Sequence, residues 1–229
     1  MSRDVGRADV LQSKGPSGHF KKGQFMFIVV GCRGLTPLLM NRMDESVLEG
    51  LRTKTKKAKA VNIGSTRTPR EDAAPKVHTH GGAPIIPGQN LMACLIAAGV
   101  FVRLDAKRQV STGKATLLPG LMSLLDFTLP IWIPDTKKPA VWEADVRQGR
   151  NPNGGEAVAI CRPRFDAWAF QARIIVEENE IGENVIRDLW DKAGKRIGLG
   201  DFRPSRKGIF GQFVVERWER KAEHEAAAE

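Results

Sequence analysis

Between Arg164 and Glu177 the chain alternates at period two. Trp168, Phe170, Ala172, Ile174 and Val176 fall on one parity; Phe165, Ala167, Ala169 and Gln171 fall on the other. An alternation of this length predicts a long strand with one face in a core. Ile181, Val185, Leu189 and Ala193 then recur at helical spacing, with Ile186, Trp190 and Ile197 beside them. Glu183 near the start of that helix and Lys192, Lys195 and Arg196 near its end suit the macrodipole, and Gly198 is a natural stop. A glycine-rich loop follows, then an apolar strand from Phe210 to Trp218.

The preceding half supplies matching parts. Phe25 to Val30 is a short run of β-branched and aromatic residues and predicts a buried central strand. Gly31 and Gly34 predict a turn after it, and Leu35 to Met40 continues extended. Pro87 and Asn90 are start signals for a helix in which Leu91, Leu95, Ala98 and Val102 share a stripe. Residues 110–160 read as short strands broken by Pro and Gly, with Thr128 to Pro134 as an edge or protruding hairpin and 147–155 as a hairpin tip. Collapsed, the order is strand, helix, strand, strand, helix, strand. It predicts an α+β fold: a ferredoxin-like or RRM-like antiparallel sheet backed by two helices, with a long basic loop (52–82) and an inserted hairpin region (110–160). Such a fold exposes one sheet face, the usual place to hold single strands. A single domain, 23–218, is expected between a flexible N-terminal arm, 1–22, and a C-terminal tail, 219–229.

Charge narrows the partners. Lys and Arg total 36 against 26 Asp and Glu, a formal charge of +10 and a pI near 9.8. An anionic partner is expected, nucleic acid first among them. In residues 52–70, seven of nineteen are Lys or Arg and none is acidic. Lys54, Lys56, Lys57, Lys59, Arg67 and Arg70 are therefore candidate contacts to a phosphate backbone, in a loop with almost no apolar face to dock. No apolar run reaches the ~18 residues of a transmembrane helix, and the polar segment 1–22 is not a signal peptide. Cys32, Cys94 and Cys161 are odd in number and scattered, which fits small core residues in a reducing cytoplasm.

The loop from Gly198 to Gly211 carries the most specific signal. Gly198, Gly200 and Gly208 permit close backbone approach to a phosphate, while Arg203, Arg206 and Lys207 can neutralise one. Phe202 or Phe210 can stack on a base. The loop lacks the Gly-Lys-Ser/Thr ending of a P-loop and follows a helix rather than a strand.

This loop resembles the glycine-rich signature of the RAMP superfamily, the RNA-binding proteins of CRISPR effector complexes, which lies between the last helix and last strand of a ferredoxin-like domain. Ile85-Ile86-Pro87-Gly88-Gln89-Asn90-Leu91 is similar to the Ile-Pro-Gly-Ser-Ser-Leu entrance of the first helix in CRISPR backbone subunits. The place of Leu35 to Asn41 after the first strand matches too. The departure is Gln89-Asn90-Leu91-Met92 where the family has Ser-Ser-Leu-Lys. The resemblance implies a subunit that binds single-stranded guide RNA along its sugar-phosphate backbone, with Gln89 and Asn90 at the helix start. It implies copies assembling head to tail in a filament, other effector-complex subunits as partners, and target RNA or DNA reached through the guide. It also implies a thumb-like hairpin, for which 110–160 is the candidate.

Catalysis is less favoured, and no cofactor or metal is expected. His78-x-His80 lies in a polar loop with only Glu71 and Asp72 nearby. Some relatives cut RNA with a His acid/base, so His19, His78 and His80 keep open a repeat-RNA-processing endoribonuclease. In target-cleaving backbone subunits an Asp in a loop like that of Asp44 is catalytic, yet Asp44-Glu45 equally suits a helix N-terminus. A phage single-strand DNA-binding or annealing protein fits the charge pattern as well. Trp190 reads as core, whereas Trp132 and Trp142 stay open for stacking or subunit contact.

Overall fold

A computed structural model describes residues 25–43, 45–53, 67–150, 155 and 157–221. In chain order the strands and helices are β1 (Phe25–Gly34), β2 (Leu38–Leu39), α1 (Glu45–Arg52), α2 (Pro69–Ala73), β3 (Thr79–His80), β4 (Ala83–Pro87), α3 (Gly88–Ala98), α4 (Leu118–Leu121), β5 (Met122–Leu124), β6 (Thr128–Pro130), β7 (Glu143–Arg150), β8 (Ala157–Phe165), β9 (Ala169–Glu177), α5 (Glu183–Lys192) and β10 (Phe213–Lys221). None of the helices is long and apolar enough to cross a membrane.

The main sheet has the order β10-β1-β9-β5, antiparallel throughout. Val30 lies opposite Ala172 on one side and Trp218 on the other. Met26, Ile28, Val30 and Cys32 of β1 and Phe170, Ala172, Ile174 and Val176 of β9 are buried on the same face. α3 and α5 cover that face with Leu91, Cys94, Leu95 and Ala98 from one and Ile186, Leu189 and Trp190 from the other. Burying these apolar faces is the main stabilising term. The opposite face is laced by ion pairs: Arg33 to Asp135 (2.6 Å) and Glu216 (2.7 Å), and Arg173 to Asp126 (2.8 Å). The arginines Arg33 and Arg173 of this face are engaged in ion pairs within the fold.

Two smaller sheets flank the first, in the orders β2-β8-β7 and β3-β4-β6. β7 and β8 form a hairpin, with Glu143 opposite Arg164 and Arg150 opposite Ala157. α2 packs against it.

Several boundaries differ from the sequence-based expectations. β1 does not turn at Gly31; a bulge against β10 between Gly31 and Cys32 absorbs the irregularity, and pairing continues to Gly34. Arg164 to Glu177 is not one strand. Asp166 takes two hydrogen bonds from the Arg164 guanidinium (2.8 and 3.2 Å), the chain bends, and β8 and β9 join different sheets. Within 110–160, Met122–Leu124 is the edge strand of the main sheet, and the hairpin occupies 143–165. Within 52–82, residues 54–66 lie outside the described residues, but Thr68 and Glu71 cap α2 reciprocally and β3 pairs with β4. The last strand runs Phe213–Lys221 rather than Phe210 to Trp218, because Phe210 N–H is still spent on the loop carbonyl of Phe202 (3.1 Å).

Candidate nucleic-acid interface

The glycine loop leaves α5 through a π-helical turn, Ala193–Ile197. Its path is dictated by docking onto the segment after β1. Asp201 N–H donates to Leu39 C=O at 2.8 Å, and Gly211 N–H donates to Pro37 C=O at 2.8 Å. Gly200 has φ +74°, and a Cβ there would stand 2.3 Å from the Leu39 carbonyl oxygen. Only glycine accepts both the left-handed backbone and that approach. Past Gly200 the loop tightens into a 3-10 turn, Pro204–Arg206. Its return is equally close, since a Cβ at Gly208 would meet the Phe202 carbonyl oxygen at 1.7 Å.

This docking encloses a cavity of about 260 Å³. Gly198, Leu199, Gly200, Asp201 and Arg203 line it on one side, and Ile85, Ile86, Pro87, Asn90, Ala93 and Cys94 on the other. Leu38, Met40, Asn41 and His78 complete it. The helix-entrance motif and the glycine loop, more than a hundred residues apart in sequence, thus face one another. The N-terminal turn of α3 has no side-chain cap and reaches this space through Asn90 with its positive dipole end, while the Gly88 N–H at its start donates to Phe127 C=O at 2.7 Å. Arg203 Nη1 donates to Gly200 C=O (2.7 Å) and Nε to Ser205 Oγ (3.0 Å). Among the described residues no carboxylate forms an ion pair with it; Asp201, which lines the same cavity, pairs with Arg162 at 2.8 Å instead. Burial pushes the Cys94 thiol up to about 12 although the Arg203 charge pulls it down, so Cys94 is an inert wall residue that donates to Gly198 C=O at 3.3 Å. His78 is half-buried, and its burial, with the Arg42 charge nearby, holds it below the ordinary histidine range.

The other expected contacts are distributed around this centre. Arg206 and Lys207 are exposed on the outer turn of the loop, outside the cavity, and neither makes an ion pair among the described residues. Gln89 is exposed in the first turn of α3 but does not line the cavity. Arg67 lines a separate recess with Arg42 and Lys76 that also touches Ala159 and Cys161. Arg70 lies over the Trp142 ring, 4.4 Å from its centroid, which engages both residues within the fold. By the hairpin register, Ala159 and Cys161 belong to the opposite face from Arg147 and Arg162, so Arg67 and the glycine loop sit on different sides of the hairpin. Lys54, Lys56, Lys57 and Lys59 lie outside the described residues, as do His19 and Asp44.

The loop aromatics are not free stacking surfaces. Phe210 is 5% exposed and lies under the Arg147 guanidinium (4.5 Å). Phe202 is 40% exposed, with the Arg162 guanidinium 5.0 Å from its ring centroid. Arg162 also pairs with Asp201 at 2.8 Å, and the buried carboxylate of Asp145 holds Arg147 (2.5 Å) and Arg164 (3.3 Å). This arginine ladder, which ties hairpin to loop, escaped sequence reading. Its only trace is the alternation of Arg162 and Arg164 on one strand parity.

No family model matches the chain, and no curated protein matches it in sequence. Among solved structures, a chain of the type III-B Cmr-beta complex, imaged by electron cryo-microscopy bound to cognate target RNA, superposes with TM-score 0.50 at 11% identity over 86% of this chain. The chain spans 61% of that one's length. Cmr6 from Pyrococcus furiosus matches with TM-score 0.40 at 13% identity, over 83% of this chain and 98% of its own. At these identities the first likeness is one of fold, α+β with antiparallel sheets.

Proposed function

We propose that this chain is a RAMP-like subunit of an RNA-guided effector complex that binds single-stranded RNA along its sugar-phosphate backbone. The observation that carries this reading is the meeting of the glycine loop with the N-terminal turn of α3 beside Arg203, which makes no ion pair among the described residues. A helix N-terminus, exposed loop backbone and clustered cations together make a phosphate site. Arg206 and Lys207 extend it outward, and Lys54, Lys56, Lys57 and Lys59 would close over the strand. Strand order β10-β1-β9-β5, with helices after the first and third of these in sequence, supports a ferredoxin-like core. The fold likeness to a chain of an RNA-bound type III-B complex supports the assignment to this class. On this reading the β7–β8 hairpin is the thumb, copies of the chain assemble head to tail along a guide, and further subunits complete the particle. The guide supplies sequence specificity by pairing with target.

Fluorescence anisotropy with a labelled single-stranded RNA tests the reading. Arg206→Glu/Lys207→Glu and Lys56→Glu/Lys57→Glu should each weaken binding at least tenfold without lowering thermal stability. Unchanged affinity in both would place the RNA elsewhere. Competition with DNA of the same sequence separates a guide-RNA subunit, which uses 2′-hydroxyls, from a single-strand DNA-binding protein. His78 at the cavity supports a second reading, RNA cleavage with a neutral imidazole as base. His78→Ala abolishing cleavage of a repeat RNA would favour it; absence of cleavage by the unmodified protein would remove it.

A further inference from the structure

A second recess lies at the other end of α3. The helix runs through a 3-10 turn, Gly99–Phe101, into a small meander over residues 102–117. Val110 N–H donates to Val102 C=O and Leu117 N–H to Val110 C=O, both at 3.0 Å. The meander seats on Gly99, where a Cβ would meet Ser111 Oγ at 2.3 Å. It borders a space of about 570 Å³, against about 260 Å³ beside the glycine loop. Arg103, Lys107 and Arg108 line this recess, and among the described residues no Asp or Glu does. Arg103 and Lys107 are exposed and make no ion pair among the described residues. Arg103 Nη1 donates to Ala106 C=O at 3.3 Å, which steadies the guanidinium without neutralising it. Asp105 pairs with Arg108 (2.6 Å) and accepts the Lys107 and Arg108 N–H groups (2.8 Å each), which fixes the turn that carries both cations. The negative end of the helical run lies beside the recess and would repel an anion, but Lys192 Nζ donates to Phe101 C=O at 2.7 Å and covers it.

The class of ligand follows from the lining. No aromatic side chain stands among the residues around the recess, so it offers a base no stacking surface. Its hydroxyls are spent within the fold, Ser111 on Thr116 (2.8 Å) and Thr112 on the N–H and C=O of Ala115 (3.1 and 3.2 Å). Leu117 is the one large apolar side chain exposed there, too little to anchor a protein partner. Long cationic side chains around an open recess suit phosphodiester groups, held without regard to sequence. The eleven residues of α3 and three of the 3-10 turn put about 20 Å between this recess and the site at the helix start. We propose that the recess binds the backbone of a second nucleic-acid segment, apart from the strand at the glycine loop. This rests on the reading of the chain as a single-strand RNA-binding subunit.

The test counts strands per chain. Two short, non-complementary single-stranded RNAs carry a donor and an acceptor dye, and uptake is followed by anisotropy and energy transfer. Unmodified protein should hold two strands per chain. Arg103→Glu/Lys107→Glu should weaken one of the two binding events at least tenfold and leave the other within twofold. Arg206→Glu/Lys207→Glu should weaken the other event instead. A thermal melt accompanies each variant. If the Arg103/Lys107 charge reversal does not fold, Arg103→Gln/Lys107→Gln replaces it and should reduce the salt slope of the same event by about 1.4. A single strand per chain in the unmodified protein would overturn the proposal, as would two strands held undiminished by the Arg103/Lys107 variant. Poly-glutamate displacing one strand as readily as unlabelled RNA does would assign the recess to carboxylates and overturn it too. If the unmodified protein binds no strand at all, it is the RNA-binding reading itself that fails.

Discussion

Gly200→Ala tests the way the glycine loop is assembled. The residue has φ +74°, where a side chain costs about 1–2 kcal/mol. The added Cβ would lie 2.3 Å from the Leu39 carbonyl oxygen and 2.7 Å from Leu38 Cδ1. The first contact is with backbone and cannot be relieved by a rotamer change. Moving the loop to relieve it strains the 2.8 Å hydrogen bond from Asp201 N–H to the same carbonyl. Overpacking of this kind costs about 1–3 kcal/mol. Together the substitution should destabilise the protein by about 2–5 kcal/mol, a large part of the roughly 5–15 kcal/mol that holds most domains folded. With a urea m-value near 2.5 kcal/mol/M, the midpoint should fall by roughly 1–2 M. The control is Gly113→Ala, at a glycine without positive φ and with nothing within 4 Å of its added Cβ. It should lose no stability. Equal midpoints for Gly200→Ala and the unmodified protein would refute the docking of the loop on the β2 segment.

The same physical picture makes further predictions. Trp168 is fully buried, stacks on Phe170, meets Phe213 edge-on and donates to Thr36 C=O at 2.8 Å, so Trp168→Ala should cost about 3–5 kcal/mol in equilibrium denaturation. Asp145→Ala removes the buried carboxylate that holds Arg147 and Arg164, and should cost about 2 kcal/mol while loosening the hairpin against the loop, read as faster amide exchange in β7 and β8. His78 has a folded pKa below its unfolded 6.5, so its contribution to stability is full above that value and is lost as pH falls from 6.5 through the folded pKa. His78→Gln should flatten that part of the stability–pH profile. The carboxylates held low, Asp105 at about 2 among them, act only below about pH 4 and leave that window untouched. In RNA binding, Arg206→Gln/Lys207→Gln should reduce the slope of log K against log salt by about 1.4, the value for two single-strand phosphates.

Local pattern made the two helices and the glycine loop legible. Leu91, Leu95 and Ala98 do line one buried stripe, and Trp168 to Val176 does alternate as read. The one local sign of the break ahead of Trp168 was Asp166, a charged and exposed residue on the parity of the core-facing Trp168, Phe170 and Ala172. At the end of β8 the chain bends at Asp166, which pairs with Arg164, and Trp168 donates to a carbonyl 132 residues away. The edge strand Met122–Leu124 is too short to announce itself and exists only by pairing with β9. At the site, Asn90, Gly198, Gly200 and Arg203 were singled out from composition and motif, and they meet at one cavity. His78 was singled out only as an acid/base candidate and Asn41 only as the end of the segment after β1; that both line this cavity depends on how that segment and the strand before α3 converge. The arginines over Phe202 and Phe210 come from a hairpin whose register no local signal specifies. Loop aromatics that looked available for bases were therefore already occupied.

The central claim is that the chain lives on RNA, and the most direct measurement is what it carries. Purified at moderate salt together with its native operon neighbours, it should show a raised 260/280 ratio. Extraction should yield RNA of discrete length that ribonuclease destroys and deoxyribonuclease does not, from a large multi-subunit particle. A monomer free of nucleic acid under these conditions would contradict the account.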